Sequence, residues 1–138
     1  MSKEIREMID KVKNFKQFVN ENIDNFTKNS VIKDVVYHGT WKRFDSFEKS
    51  RRGSYGKGFY FFKNEHSATA YGSIIMRCLI NIRNPFYLNE NTLKGWSEKY
   101  YNKNISSITD KLKKDGYDGV ITENEIVVFD NTQIKILN

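Results

Sequence analysis

Residues 116–137 read GYDGVITENEIVVFDNTQIKIL, and this run decides the fold class. Its three apolar segments, 116–121, 125–129 and 133–137, are rich in Val, Ile and aromatic residues, so each reads as a β-strand. The polar turns between them are too short to hold a helix. With strands joined by such tight turns, and helices elsewhere falling between strands without regular βα alternation, the pattern favours antiparallel or mixed sheets over a doubly wound parallel sheet.

Working outward, the chain keeps the same character. Two short helices are expected within residues 91–114, each with polar caps and lysine-rich ends. Residues 73–82 (SIIMRCLINI) form a long strand, and Pro85, with no N–H to donate, closes that ladder. Residues 64–72 suit a helix, with Asn64 as N-cap and Gly72 as its stop. Residues 59–62 and 34–38 (DVVYH) read as strands, and the glycine-rich, basic stretch 39–58 between them reads as loop. At the N-terminus, Ile5, Met8, Ile9, Val12, Phe15, Phe18, Val19, Ile23 and Phe26 recur at three- and four-residue steps, which predicts an amphipathic helix over residues 3–28. Its apolar stripe is expected to cover the domain's own core. The fold class expected is α+β, with antiparallel or mixed sheets. Without an internal repeat or a flexible linker, residues 1–138 read as a single domain, with residues 1–30 as a helical segment and 35–136 as its core.

Composition narrows the function. The 138 residues are 38% hydrophobic and 29% charged, with a formal net charge of +6, which suits anionic partners. Residues 1–57 hold 13 Lys and Arg against 8 Asp and Glu, whereas residues 58–138 hold 10 against 9. Six bases (Lys42, Arg43, Lys49, Arg51, Arg52, Lys57) crowd residues 42–57. The sequence shows no apolar run of membrane-spanning length and no secretory leader, so a cytoplasmic protein is expected. Cys78 is the single cysteine, and His38 and His66 stand far apart, so neither a disulfide framework nor a metal site is expected. Cys78 suits a core position and His66 the surface. Gly53-Ser54-Tyr55-Gly56-Lys57-Gly58 is neither a P-loop, since Gly58 follows the lysine, nor a dinucleotide fingerprint, since no third glycine follows at the required step.

Four separated segments carry a different signal: Tyr37-His38-Gly39-Thr40, Gly56-Lys57-Gly58-Phe59-Tyr60-Phe61, Ala70-Tyr71-Gly72, and Asn124-Glu125-Ile126-Val127-Val128-Phe129-Asp130 followed by Gln133-Ile134. Their order, with eleven residues from Tyr60 to Tyr71, resembles the His–Tyr–Glu branch of the ADP-ribosyltransferase superfamily, which includes diphtheria-toxin-like enzymes and poly(ADP-ribose) polymerases. The resemblance covers residues 35–136 and implies split antiparallel or mixed β-sheets around an NAD+ cleft. It implies mono-ADP-ribosyl transfer from NAD+, consumed as substrate without a metal, to a macromolecule, protein in preference to nucleic acid. A setting of toxin action or phage–host conflict goes with it.

By the same resemblance, Glu125 bonds the 2′-OH of the nicotinamide ribose and stabilises its developing positive charge. His38 binds the adenosine-side ribose, and Gly39, with Thr40 beside it, belongs to the cofactor-binding set through a backbone pairing with the carboxamide. Tyr60 and Tyr71 hold the nicotinamide ring. Arg51 and Arg52 suit the pyrophosphate, because a guanidinium matches phosphate oxygens. The same basic loop, with Trp41, Phe44, Phe47 and Tyr55, also suits a nucleic-acid backbone. Glu123 would serve target recognition, as in the Glu-x-Glu turn of arginine-modifying relatives, although those carry arginine at the position of His38. A further departure is Ala68, where polymerase-like relatives place a serine that helps hold the carboxamide. Three alternatives stay open: transfer to RNA or DNA, a 2′-phosphotransferase whose phosphate-binding arginines have no clear counterparts here, and a non-catalytic module that binds and inhibits a partner.

Overall fold

A computed structural model describes residues 2–48 and 53–137, with only the backbone course taken for 14–24. The chain runs α1 (Lys3–Thr27), β1 (Val36–Thr40), β2 (Phe59–Phe62), α2 (Glu65–Ala68) with a 3₁₀ turn (Thr69–Tyr71), β3 (Ile74–Ile80) and β4 (Pro85–Tyr87). It continues through α3 (Leu93–Lys99), α4 (Ile105–Lys114), β5 (Gly119–Ile121), β6 (Glu125–Val128), a 3₁₀ turn (Asn131–Gln133) and β7 (Ile134–Ile136). The strands form one mixed sheet in the order β4-β5-β6-β2-β1-β3-β7, so the α+β expectation holds. All strand pairs are antiparallel except β4 with β5.

The strand β4 departs from expectation. Pro85 opens a strand rather than ending one, at the sheet's edge and parallel to β5. A proline is tolerated as the first residue of an edge strand, where its missing N–H interrupts no ladder. The excursion through α3 and α4 then returns the chain to β5, as a parallel pairing requires.

The C-terminal alternation is explained by burial on both faces. Val120, Val127 and Phe129 pack with Trp96, Tyr100, Ile108 and Leu112 under α3 and α4. Ile121, Ile126 and Val128 join Phe59, Phe61, Met76, Cys78 and Ile80 on the opposite face. Strands covered on both sides read as uninterrupted apolar runs. As expected, Cys78 is fully buried, and burial pushes its thiol up to about 12.

The first turns of the N-terminal helix depart from a second expectation, while Ile9 and Phe26 of the same stripe are half-buried. Ser2 caps α1 by accepting the Ile5 N–H at 3.2 Å, but Ile5, Met8 and Val12 stay 48%, 59% and 49% exposed instead of covering the core. A 25-residue helix is about 37 Å long, and the seven-residue β3 against which it packs spans only about 23 Å. The sheet therefore meets the C-terminal end, where Thr27 is buried, and the first turns extend beyond it. The side chains of Phe15, Phe18, Val19 and Ile23 lie outside the described set. No helix among the described residues is long and apolar enough to cross a membrane.

Candidate active site

The sheet has one thin seam. Between β1 and β2 the register is a single pair, Tyr37 opposite Phe62, whereas β1 and β3 share five. Beyond that pair the two strands part, and the imidazole of His38 bridges them through Nδ1, which lies 2.8 Å from the carbonyl oxygen of Tyr60. A carbonyl can only accept, so Nδ1 carries the proton and Nε2 of the neutral ring is left as an acceptor. Burial lowers the His38 pKa, outweighing this hydrogen bond, and favours the neutral form. The edges of Phe44 and Phe47 meet the ring at centroid distances of 5.6 and 4.9 Å and hold its plane.

The opposite wall follows from the pleat. Glu125 lies directly across from Phe62, and Val127 across from Tyr60, so Glu125, Phe62 and Tyr60 project from one face of the sheet. Tyr71, in the turn after α2, stacks on Phe62 with centroids 5.1 Å apart and planes 30° apart. His38 packs with Phe47 and Phe61 of the other face. Only where the strands part can residues of both faces line one hollow. His38, Gly39, Tyr60, Phe62, Tyr71 and Glu125 do so, in a cleft of about 510 Å³. That is the size of a small-ligand site.

A tight turn delivers Glu125. Its N–H donates to Thr122 Oγ1 at 2.9 Å, and the Thr122 N–H donates to the Glu125 carbonyl at 2.9 Å, so Glu123 and Asn124 form the tip. Burial raises the Glu125 pKa, and no basic side chain of the described residues pairs with its carboxylate. Tyr60 is fixed at its far end: its hydroxyl donates to the Gly56 carbonyl and accepts the Tyr55 N–H at 3.4 Å. Burial pushes its phenol up to about 12, so it stays neutral. The loop behind it is anchored by Thr109, whose Oγ1 donates to the Lys57 carbonyl at 2.9 Å.

Other expected residues fall elsewhere. Thr40 does not line the cleft; its hydroxyl donates to the Lys42 carbonyl at 3.0 Å and accepts the Lys42 N–H at 3.3 Å, which closes a local turn. Glu123 is exposed and faces a second hollow. Arg51 and Arg52 lie outside the described residues. Phe47, packed on His38 and only 7% exposed, is too buried to serve as a stacking platform for bases, whereas Phe44, half-buried against the same ring, lines the cleft. Tyr55 is half-buried against Trp96, and Trp41 alone of that group remains open, at 75%. Phe62, Ser46, Glu48 and Ser54 line the cleft and were not anticipated. The period-two alternation from Tyr60 could have signalled Phe62. Among the described residues no group of three His, Cys, Asp or Glu could hold a metal ion.

Residues 32–138 match the family described as ADP-ribosyltransferase in polyvalent proteins, and the chain belongs to that family. Among solved structures, the crystal structure of an anti-CRISPR protein is similar at 12% identity, with a TM-score of 0.46 over 75% of this chain and 95% of that one. No curated protein matches the chain.

Proposed function

We propose that the chain cleaves the nicotinamide–ribose bond of NAD+ and transfers ADP-ribose to a macromolecule, protein in preference to nucleic acid. The observation that carries this is the cleft at the sheet's seam, where Glu125 shares one hollow with His38, Tyr60 and Tyr71. When the N-glycosidic bond breaks, its electron pair leaves with the pyridine nitrogen, and the ribose becomes oxocarbenium-like. A nearby carboxylate stabilises that charge, as in glycoside hydrolysis. Glu125 supplies it and bonds the 2′-OH. The acceptor's nucleophile then attacks the ribose carbon and loses its proton. The aromatic faces of Tyr60 and Tyr71 suit a flat leaving group. His38 Nε2 accepts from a ribose hydroxyl, and the Gly39 backbone pairs with the carboxamide. Arg51 and Arg52 are assigned to the pyrophosphate on their chemistry alone, since a guanidinium matches phosphate oxygens.

Labelled NAD+ incubated with the protein and a cell lysate, split between protease and nuclease, tests this. Label lost with protease is the expected result. Label lost with nuclease would move the acceptor to RNA or DNA. Label in neither fraction, with no nicotinamide released, would make the chain a binding module.

The pH profile should be flat from neutral upward, because Tyr60 titrates only near about 12, and should fall on the acid side. Two groups act there. Protonating His38 turns Nε2 from acceptor to donor and raises KM, whereas protonating Glu125 removes the charge that assists bond breaking and lowers kcat. His38→Gln, which cannot titrate, should flatten the KM limb and leave the kcat limb. An acid limb in KM that survives this substitution would exclude His38. Stability follows His38 in the same direction: its folded pKa lies below the unfolded value of about 6.5, so the folded state binds the proton more weakly. Stability is lost as the pH falls from that value through the folded one.

A further inference from the structure

Next to the cleft is a larger hollow of about 850 Å³, which shares Ser54 with it as a lining residue. The tip between β5 and β6 separates the two, with Glu125 lining one and Glu123 the other. Three large apolar side chains that the fold leaves in water line this second hollow: Tyr87 at 51% exposure, Leu93 at 53% and Tyr101 at 65%. Trp96 lies beneath them, only 4% exposed. Exposed apolar groups gathered in a concave surface mark an interaction site more than scattered ones do.

The charge in this groove opposes that of the molecule. On a chain of net charge +6, the groove's ionisable lining is Glu90, Glu123 and Lys63 with the tyrosines. Lys63 Nζ donates to the Thr122 carbonyl at 3.0 Å, which ties it to the tip. Neither Glu90 nor Glu123 is paired with a basic side chain among the described residues. Two unpaired carboxylates repel a phosphate backbone. They attract a cation, and tyrosine faces attract it further through their quadrupoles.

We propose that this groove docks a lysine- or arginine-bearing segment of a protein acceptor, with the cation met by Glu90, Glu123 and the exposed tyrosine faces. This rests on the transfer function proposed above insofar as the docked segment is the acceptor. Ser54 lines both hollows and only the tip between β5 and β6 stands between Glu123 and Glu125, so chain flanking the anchored cation passes close to the side on which Glu125 stands.

Fluorescence anisotropy at low salt with a labelled peptide of alternating arginine and glycine tests the docking, with its citrulline counterpart and an oligothymidine as comparisons. Nicotinamide release from NAD+ is measured in parallel. The wild-type chain should bind the arginine peptide in preference to both others. Glu90→Lys combined with Tyr101→Ser should weaken that binding by about tenfold or more, with melting temperature confirming that the variant is folded. Glu90→Gln, a smaller change at an exposed site, should weaken it in the same direction. Absence of peptide binding, equal binding by both variants, or preference for oligothymidine would overturn the proposal. If the peptide binds as expected but no nicotinamide is released, the docking site stands and the transfer function falls. If nicotinamide is released and the peptide is ignored, the reverse holds.

Discussion

Replacing Glu125 by Gln should lower NAD+ cleavage by at least about a hundredfold, the scale for losing one electrostatic contact to a transition state, and should at the same time raise the melting temperature. The two effects have one cause. Glu125 opens β6, half-buried across from Phe62, and burial raises its pKa with no basic partner among the described residues. A group whose folded pKa lies above its unfolded one contributes stability at low pH and loses it as the pH rises through the folded value, so the ionised carboxylate weakens the fold at neutral pH. Glutamine keeps the shape and removes the charge. Activity is read as nicotinamide released, and stability as a thermal melt. A wild-type rate would remove Glu125 from the chemistry. A lower melting temperature would show the carboxylate to be held by a favourable contact. The expected combination is the trade-off between stability and activity found where a site holds a group the fold does not favour.

Adding one methyl group at Gly39 should destabilise the protein by at least about 2 kcal/mol, toward the upper end for overpacking. A Cβ there would run into the backbone carbonyl of Ala68, with Tyr71 Cβ 3.3 Å away. A flexible side chain could swing aside, but a carbonyl at the end of α2 cannot. The change would push α2 and its turn away from β1, carrying Tyr71 with them, so cleavage should fall with stability. Gly95 is the control. It lies inside α3, and a Cβ there meets nothing within 4 Å. Gly95→Ala should therefore gain about 0.5 to 1 kcal/mol from helix propensity and the unfolded chain's reduced freedom. Urea denaturation of both variants checks the pair. Equal effects of one sign would mean that close approach at Gly39 does not limit the packing. The same approach bears on Ala68, whose side chain is fully buried where polymerase-like relatives place a serine.

The elements themselves were largely legible. Strand β2 falls on residues 59–62 as expected, and Asn64 caps α2 by accepting the His66 N–H at 2.7 Å. The helices α3 and α4 fall within residues 91–114. What failed was partnership. Pro85 reads as a stop because its missing N–H is a local fact, while its place on the sheet's edge depends on β5, more than thirty residues away. The stripe of α1 reads as core-covering because periodicity reports a face and not its length relative to the sheet. Phe44 and Phe47 read as loop aromatics because only the position of His38 gives them something to cover.

By itself the sequence determined the residue types and their order: a histidine in the first strand, tyrosines eleven residues apart, and a glutamate opening an apolar strand near the C-terminus. Those follow from local pattern and from the chemistry such groups can perform. The tertiary structure decided that they form one site. Alternation along a strand sends His38 to one face and Glu125 to the other, and an intact sheet would keep them apart. They share a cleft because β1 and β2 pair at a single position and then part. Where two strands cease to pair depends on contacts distant in sequence, which no local pattern records.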